Sequence, residues 1–183
     1  MQEIKTIYSI GDISFHTEII NKYDYQKELT NKLDLVDTEF DQAIINEIVL
    51  WKVNRFVKID SDTFVLLNQI KSSDAQINIS LTKSILQKLL ATHGVRIALA
   101  STILRFKNPN IYQIIDQRVY RFIHPNGEEL KNTKSINETI EMYLEYLERL
   151  RIVCNTYKIK YNEADRILYL MDKDNNKENK LRY

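Results

Sequence analysis

The chain has 183 residues, 44% of them apolar and 28% charged, with three glycines, two prolines and one cysteine. That length suits one domain with a real core. So few turn-forming residues argue against a sandwich or barrel and for helices, and the lone Cys154 excludes an internal disulfide and a cysteine-rich zinc site. The net charge of +1 hides an asymmetry: residues 81–121 hold seven Lys and Arg against the single acid Asp116, a net +6 that leaves −5 for the remainder. A segment so lopsided either presents a basic face to phosphates or is a solvated helical surface. The first twenty residues lack a basic region followed by an apolar block, and no apolar run reaches about 18 residues. The expectation is therefore a cytoplasmic protein with no membrane partner.

In chain order, residues 1–20 leave room for a small hairpin turning at Gly11-Asp12. "YQKELTNKL" reads as a short helix. "TEFDQAIINEIVLWKVNRF" reads as a long one, with Phe40, Ile44, Ile48 and Trp51 on one face and Ile45 and Val49 beside them. Ser61 or Asp62 caps "TFVLLNQI". "SLTKSILQKLLATHG" points Ile85, Leu86, Leu89 and Leu90 inward and ends at Gly94, where a left-handed residue stops it. "IALASTILRF" resumes a helix almost at once. Asp116 is placed as the N-cap of "QRVYRF". "SINETIEMYLEYLERLRIV" opens with a capping box, Ser135 to Glu138, and carries a stripe of Ile140, Tyr143, Leu144, Leu147 and Leu150. Cys154 falls in that pattern as a small core residue. "NEADRILYLMDK" is the last helix. The fold class is all-α, a single-domain helical bundle over residues 1–175, with a polar, frayed tail at 176–183.

Two helices that meet across "THGVR" need a residue able to take positive φ, and Gly94 supplies it. The second helix then presents unpaired N–H groups, near Val95 and Arg96, that could hold a phosphate without reading sequence. An ordinary glycine-capped helical hairpin accounts for the same residues.

Leu90, Gly94, Val95, Ala100 and Ser101, followed by "ILRFKNPNIYQIID", resemble the helix-hairpin-helix DNA glycosylase superfamily. In that superfamily an L-x-G-V-G hairpin precedes a helix with small residues, a loop, and an aspartate after apolar residues. The likeness is closest to a bacterial branch, to which "LWKVNR" and "ADRILY" are also similar; it covers roughly residues 40–170, with its core at 90–119. Arg96 stands where the superfamily has its second glycine. Ala98 stands where bifunctional members place a catalytic lysine, so the resemblance implies a monofunctional enzyme that removes a base without cutting the strand. It also implies a role for Asp116 beyond capping. A carboxylate there would stabilise oxocarbenium character at the sugar or activate the attacking water.

Such chemistry needs an aromatic surface for an extruded base, and Trp51, Tyr112 and Tyr120 are the candidates, each otherwise a core residue. Lys52 and Arg118 are candidate phosphate contacts beside Gly94, Val95 and Arg96. Asp165 and Arg166 read as a structural pair with no chemistry. His16, His93 and His124 have no metal-ligand spacing, and no P-loop or dinucleotide fingerprint occurs, so no metal and no cofactor is expected. The expected function is a DNA-binding, glycosylase-like protein, a DNA-repair hydrolase if the chemistry is present. The rivals are an inactive DNA-binding adaptor of the same fold and a helical protein-interaction domain that meets no nucleic acid.

Overall fold

A computed structural model describes residues 25–179 apart from 55, 132 and 134. The hairpin expected within residues 1–20 lies outside the described residues, as does the end of the tail. Among the described residues every regular element is helical, with eight α-helices and no strand. The all-α expectation holds. By contacts the backbone separates into two compact units, residues 1–56 and 57–183.

In the first unit, α1 (Lys27–Asp34) and α2 (Gln42–Lys52) pair through the Trp51 end. Tyr25 Oη and Gln26 Nε2 donate to the Trp51 carbonyl at 3.0 and 2.9 Å, and the indole N–H donates to Thr30 Oγ1 at 2.9 Å. Tyr25 packs edge-on against the indole, with ring centroids 5.3 Å apart. The expected helix begins later than its apolar pattern suggested, because the Asp41 carboxylate accepts from Ile44 N and fixes the start at Gln42. Ile44, Ile48 and Trp51 form its half-buried face, whereas Phe40 precedes the cap and is exposed, as are Ile45 and Val49.

The second unit is built around α7 (Ile136–Tyr157), 22 residues long. Its i, i+3, i+4, i+7 spacing buries Ile140, Tyr143, Leu147, Leu150 and Cys154, as the sequence pattern predicts, and Tyr146 in addition. α3 (Ser61–Leu67) and α4 (Ile79–Ala91) precede α5 (Ile97–Lys107), with α6 (Gln117–Ile123) and α8 (Ala164–Asn175) completing the unit. Ile85, Leu86, Leu89, Ala100, Leu104, Ile115, Val119 and Leu168 meet the α7 stripe in one apolar core. The α3 cap is Asp60, one residue earlier than expected: its carboxylate accepts from Thr63 N at 2.7 Å and from the Thr63 hydroxyl at 3.0 Å. The backbone hydrogen bond from Thr63 is the largest influence on Asp60 and holds its pKa below the ordinary value.

α8 docks by buried charge as well as by apolar contact. Asp172 is fully buried, accepts from Arg121 on both oxygens, and also accepts from Arg118 at 3.1 Å and Asn176 at 2.9 Å. Residues past α8 are not simply frayed, because the Asn179 carbonyl accepts from Arg121 Nη1 at 2.8 Å.

Candidate functional site

The chemistry-bearing residues of the second unit gather at two places, the α4–α5 hairpin and the N-terminus of α6. At the hairpin, α4 ends at Ala91 and α5 begins at Ile97. Gly94 takes φ +80°, the left-handed conformation that glycine adopts without cost, and Val95 N closes the turn on the Thr92 carbonyl at 3.1 Å. Arg96 needs no such freedom: at φ −110° and ψ 172° its backbone is extended, so a side chain fits where the resembled hairpin has glycine. Arg96 is the N-cap residue of α5 but makes no side-chain cap bond, in contrast to Asp41, Asp60, Asn78, Asp116 and Ser135 at five other helices. The first amides of α5 are therefore left for solvent or a ligand. Val95, Arg96 and Ile97 line a cleft of about 480 Å³ together with Gln117, Lys131, Thr133 and Ser135. The Gln117 side chain donates to and accepts from the Leu130 backbone, at 3.1 and 3.0 Å, which holds the far wall in place.

Asp116 is half-buried. The segment that delivers it is irregular but tied at three consecutive residues. Tyr143 Oη donates to the Gln113 carbonyl at 2.9 Å, Tyr146 Oη donates to the Ile114 carbonyl at 2.7 Å, and Ile115 N donates to Ser101 Oγ at 3.2 Å. Burial pushes the Tyr143 and Tyr146 hydroxyls well above the ordinary tyrosine range, so both remain donors. Asp116 Oδ1 then accepts from Arg118 N at 2.7 Å and caps α6, as the sequence predicts. Its Oδ2 makes no hydrogen bond among the described residues. Asp116 borders a groove of about 390 Å³ whose exposed surface is almost wholly apolar, walled by Ile114, Val119, Tyr169 and Leu170, with Asp165 and Arg166 also at its edge. This groove is distinct from the hairpin cleft; Gln117, the next residue along, is the one that reaches the cleft.

The other candidates are placed elsewhere. Tyr112 does not serve as a stacking surface: it is 1% exposed within the core and its hydroxyl is hydrogen-bonded to Thr82 Oγ1 at 2.7 Å. Tyr120 is half-buried and stacks on His124 with centroids 3.8 Å apart, beside a groove that Glu128, Glu145 and Glu148 make acidic. Arg118 is committed to Asp172 and lies over the Tyr169 ring, 5.8 Å from its centroid. Trp51 and Lys52 belong to the first unit, where the indole is engaged by Thr30 and Tyr25 and Lys52 is exposed. Asp165 and Arg166 are not an ion pair. Asp165 Oδ1 accepts from the Arg166 backbone N–H at 2.8 Å, and its carboxylate faces Arg105 instead.

Sequence reasoning missed Lys131, Gln117 and Tyr169. Lys131 sits in a stretch of mixed charge with no periodicity, and Gln117 and Tyr169 become site residues only through contacts with distant backbone. Among the described residues no group of three or more His, Cys, Asp or Glu side chains could hold a metal ion, and no helix is long and apolar enough to cross a membrane. No protein-family model, curated protein or solved structure matches this chain.

Proposed function

We propose that the chain is a cytoplasmic DNA-binding protein of helix-hairpin-helix, glycosylase-like architecture, and that the Thr92–Ile97 turn grips the phosphate backbone. The observation that carries this reading is the uncapped start of α5. Its amides are free of any side-chain acceptor and are flanked by Arg96, in a cleft that also holds Lys131. The basic balance of residues 81–121 supports it, because a phosphate-facing surface draws on long-range charge as well as on direct contacts. The buried Cys154 thiol suits a reducing compartment.

Within that reading, Asp116 is the reacting acid of a monofunctional N-glycosylase. The bond from sugar to a damaged or modified base breaks, water oxygen joins the sugar carbon, and the base departs carrying a proton. Asp116 stabilises the developing positive charge or accepts the water's proton. Support comes from the free Oδ2 of a carboxylate whose backbone is fixed by Ser101, Tyr143 and Tyr146. A second reading, an adaptor that binds DNA without chemistry, is favoured by the commitment of Arg118 to Asp172 and by the core burial of Tyr112. Incubation with duplexes bearing single damaged bases separates the two. The enzyme releases free base and Asp116→Asn abolishes release, whereas the adaptor binds every duplex and releases none.

A further inference from the structure

In the first unit, α2 carries more apolar surface than its neighbour α1 covers. Seven of its eleven residues are Ala, Ile, Val, Leu or Trp, and they lie on both sides of the helix. A helix that is apolar all round is ordinarily enclosed, yet no residue of α2 is fully buried. Ile44, Ile48 and Trp51 form its half-buried side, where the indole meets Thr30 of α1. On the other side Ile45, Val49 and Val53 follow at intervals of one turn and are 42%, 54% and 53% exposed. Leu50 borders that stripe, and Phe40 stands exposed just before the cap. Asp41 and Lys52 lie along the same edge, four residues before Ile45 and three after Val49, and both are exposed.

We propose that this stripe is the contact between two copies of the chain, their α2 helices packed antiparallel about a two-fold axis. Charge selects both the occupant and its direction. Each α2 is acidic at its start, with Glu39 and Asp41, and basic at its end, with Lys52. In an antiparallel pair the same edge of each helix faces its counterpart, so Asp41 of each copy lies beside Lys52 of the other. A parallel pair would set acid against acid and base against base, and the helix dipoles oppose it too. The register that joins these charges also sets Ile45 beside the second copy's Val49, and Val53 beside its Phe40. The face is therefore self-complementary, as a two-fold contact requires. Gln42 and Asn46, the polar residues on this side, already engage each other, Gln42 Nε2 donating to Asn46 Oδ1 at 2.9 Å. One pair of short helices falls at the low end of interface sizes, below about 1,200 Å², so the association is weak and reversible. This contact involves the first unit alone and is independent of the DNA reading.

Sedimentation velocity on the full chain, from about 1 to about 200 µM, tests this. The mass should rise with concentration from 21.7 kDa toward twice that value and go no further. Val49→Lys sets a charge at the exposed centre of the stripe and should weaken association by roughly tenfold or more. Should that variant fail to fold, Lys52→Glu, which sets acid against acid, should weaken association as well. Cross-linking reads the direction. Ile45→Cys mixed with Val49→Cys should form a disulfide-linked dimer faster than either variant alone, and the buried Cys154 stays out of the reaction. A chain that is monomeric throughout the range overturns the proposal. In that monomer Val49→Cys labels fast if the stripe is bare and slowly if residues 1–24 or another part of the same chain cover it. Assemblies larger than two, association unchanged in a folded variant, or faster cross-linking within each single variant also overturn it.

Discussion

Arg121 holds Asp172 through both carboxylate oxygens, Nε to Oδ1 at 2.7 Å and Nη2 to Oδ2 at 2.9 Å, and so ties α6 to α8 at a fully buried point. Arg118 adds a third bond from the same helix. Removing the acid leaves the buried Arg121 guanidinium without its carboxylate and frees the partly exposed Arg118. Asp172→Ala should therefore destabilise the second unit by about 3–5 kcal/mol. Denaturant unfolding of the variant checks this, and a loss under 1 kcal/mol, the range of an exposed pair, would mean the cluster is solvated.

The same cluster makes stability pH-dependent. Burial alone would raise the Asp172 pKa, but hydrogen bonds from Arg121, Asn176 and Arg118 outweigh it, and the carboxyl titrates below its ordinary value. With the folded value depressed, its stabilisation is complete above the unfolded carboxyl pKa and is lost as pH falls through the folded one. The arginines remain charged throughout. Thermal midpoints should fall on acidification below the ordinary carboxylate range, and Asp172→Asn should flatten that fall. An unchanged acid limb in the variant would assign the dependence to other carboxylates.

Gly94 tests the hairpin turn. A Cβ there would meet only Val57 Cγ2, at 3.7 Å, so space is available and the backbone conformation is the obstacle. Gly94→Ala should cost about 1–2 kcal/mol from left-handed strain, and Gly94→Asn should cost less, since asparagine tolerates that region. Equal stabilities for the two variants would place the turn's requirement elsewhere.

Tyr146→Phe removes the hydroxyl that donates to the Ile114 carbonyl two residues before Asp116. Leaving that half-buried acceptor without its donor should cost about 1 kcal/mol. Any base release should fall as well, because the segment that aims the carboxylate loses a tie. Stability lost with release unchanged would make Tyr146 a core residue alone.

How much of this was readable beforehand depends on range. The α7 stripe and the Ser135 and Asp116 caps were legible because each is decided within about one helical turn. So was Gly94, since two apolar helical patterns met across five residues with one glycine between them. The α3 start shifted to Asp60 because three consecutive residues, Asp60, Ser61 and Asp62, can all cap and only backbone geometry chooses. The site was less legible. Tyr112 has the residue type of a pocket aromatic, but Thr82, thirty residues away, holds its hydroxyl in the core. Asp165-Arg166 looked like a local pair, but i and i+1 on a helix point apart, and the acid found Arg105 on another helix. No periodicity marks such pairings, because they are set by how helices cross.

The central claim is that the Thr92–Ile97 turn holds DNA through its amides and Arg96. The most direct test is fluorescence anisotropy of a labelled undamaged duplex against salt, for the native chain, Arg96→Glu and Lys131→Glu. The native chain should bind with log affinity falling linearly in log salt concentration, and Arg96→Glu should weaken binding and reduce that slope by roughly 1 or more. Duplex affinity absent at every salt concentration, or unaltered by reversing the charge at Arg96, would contradict it.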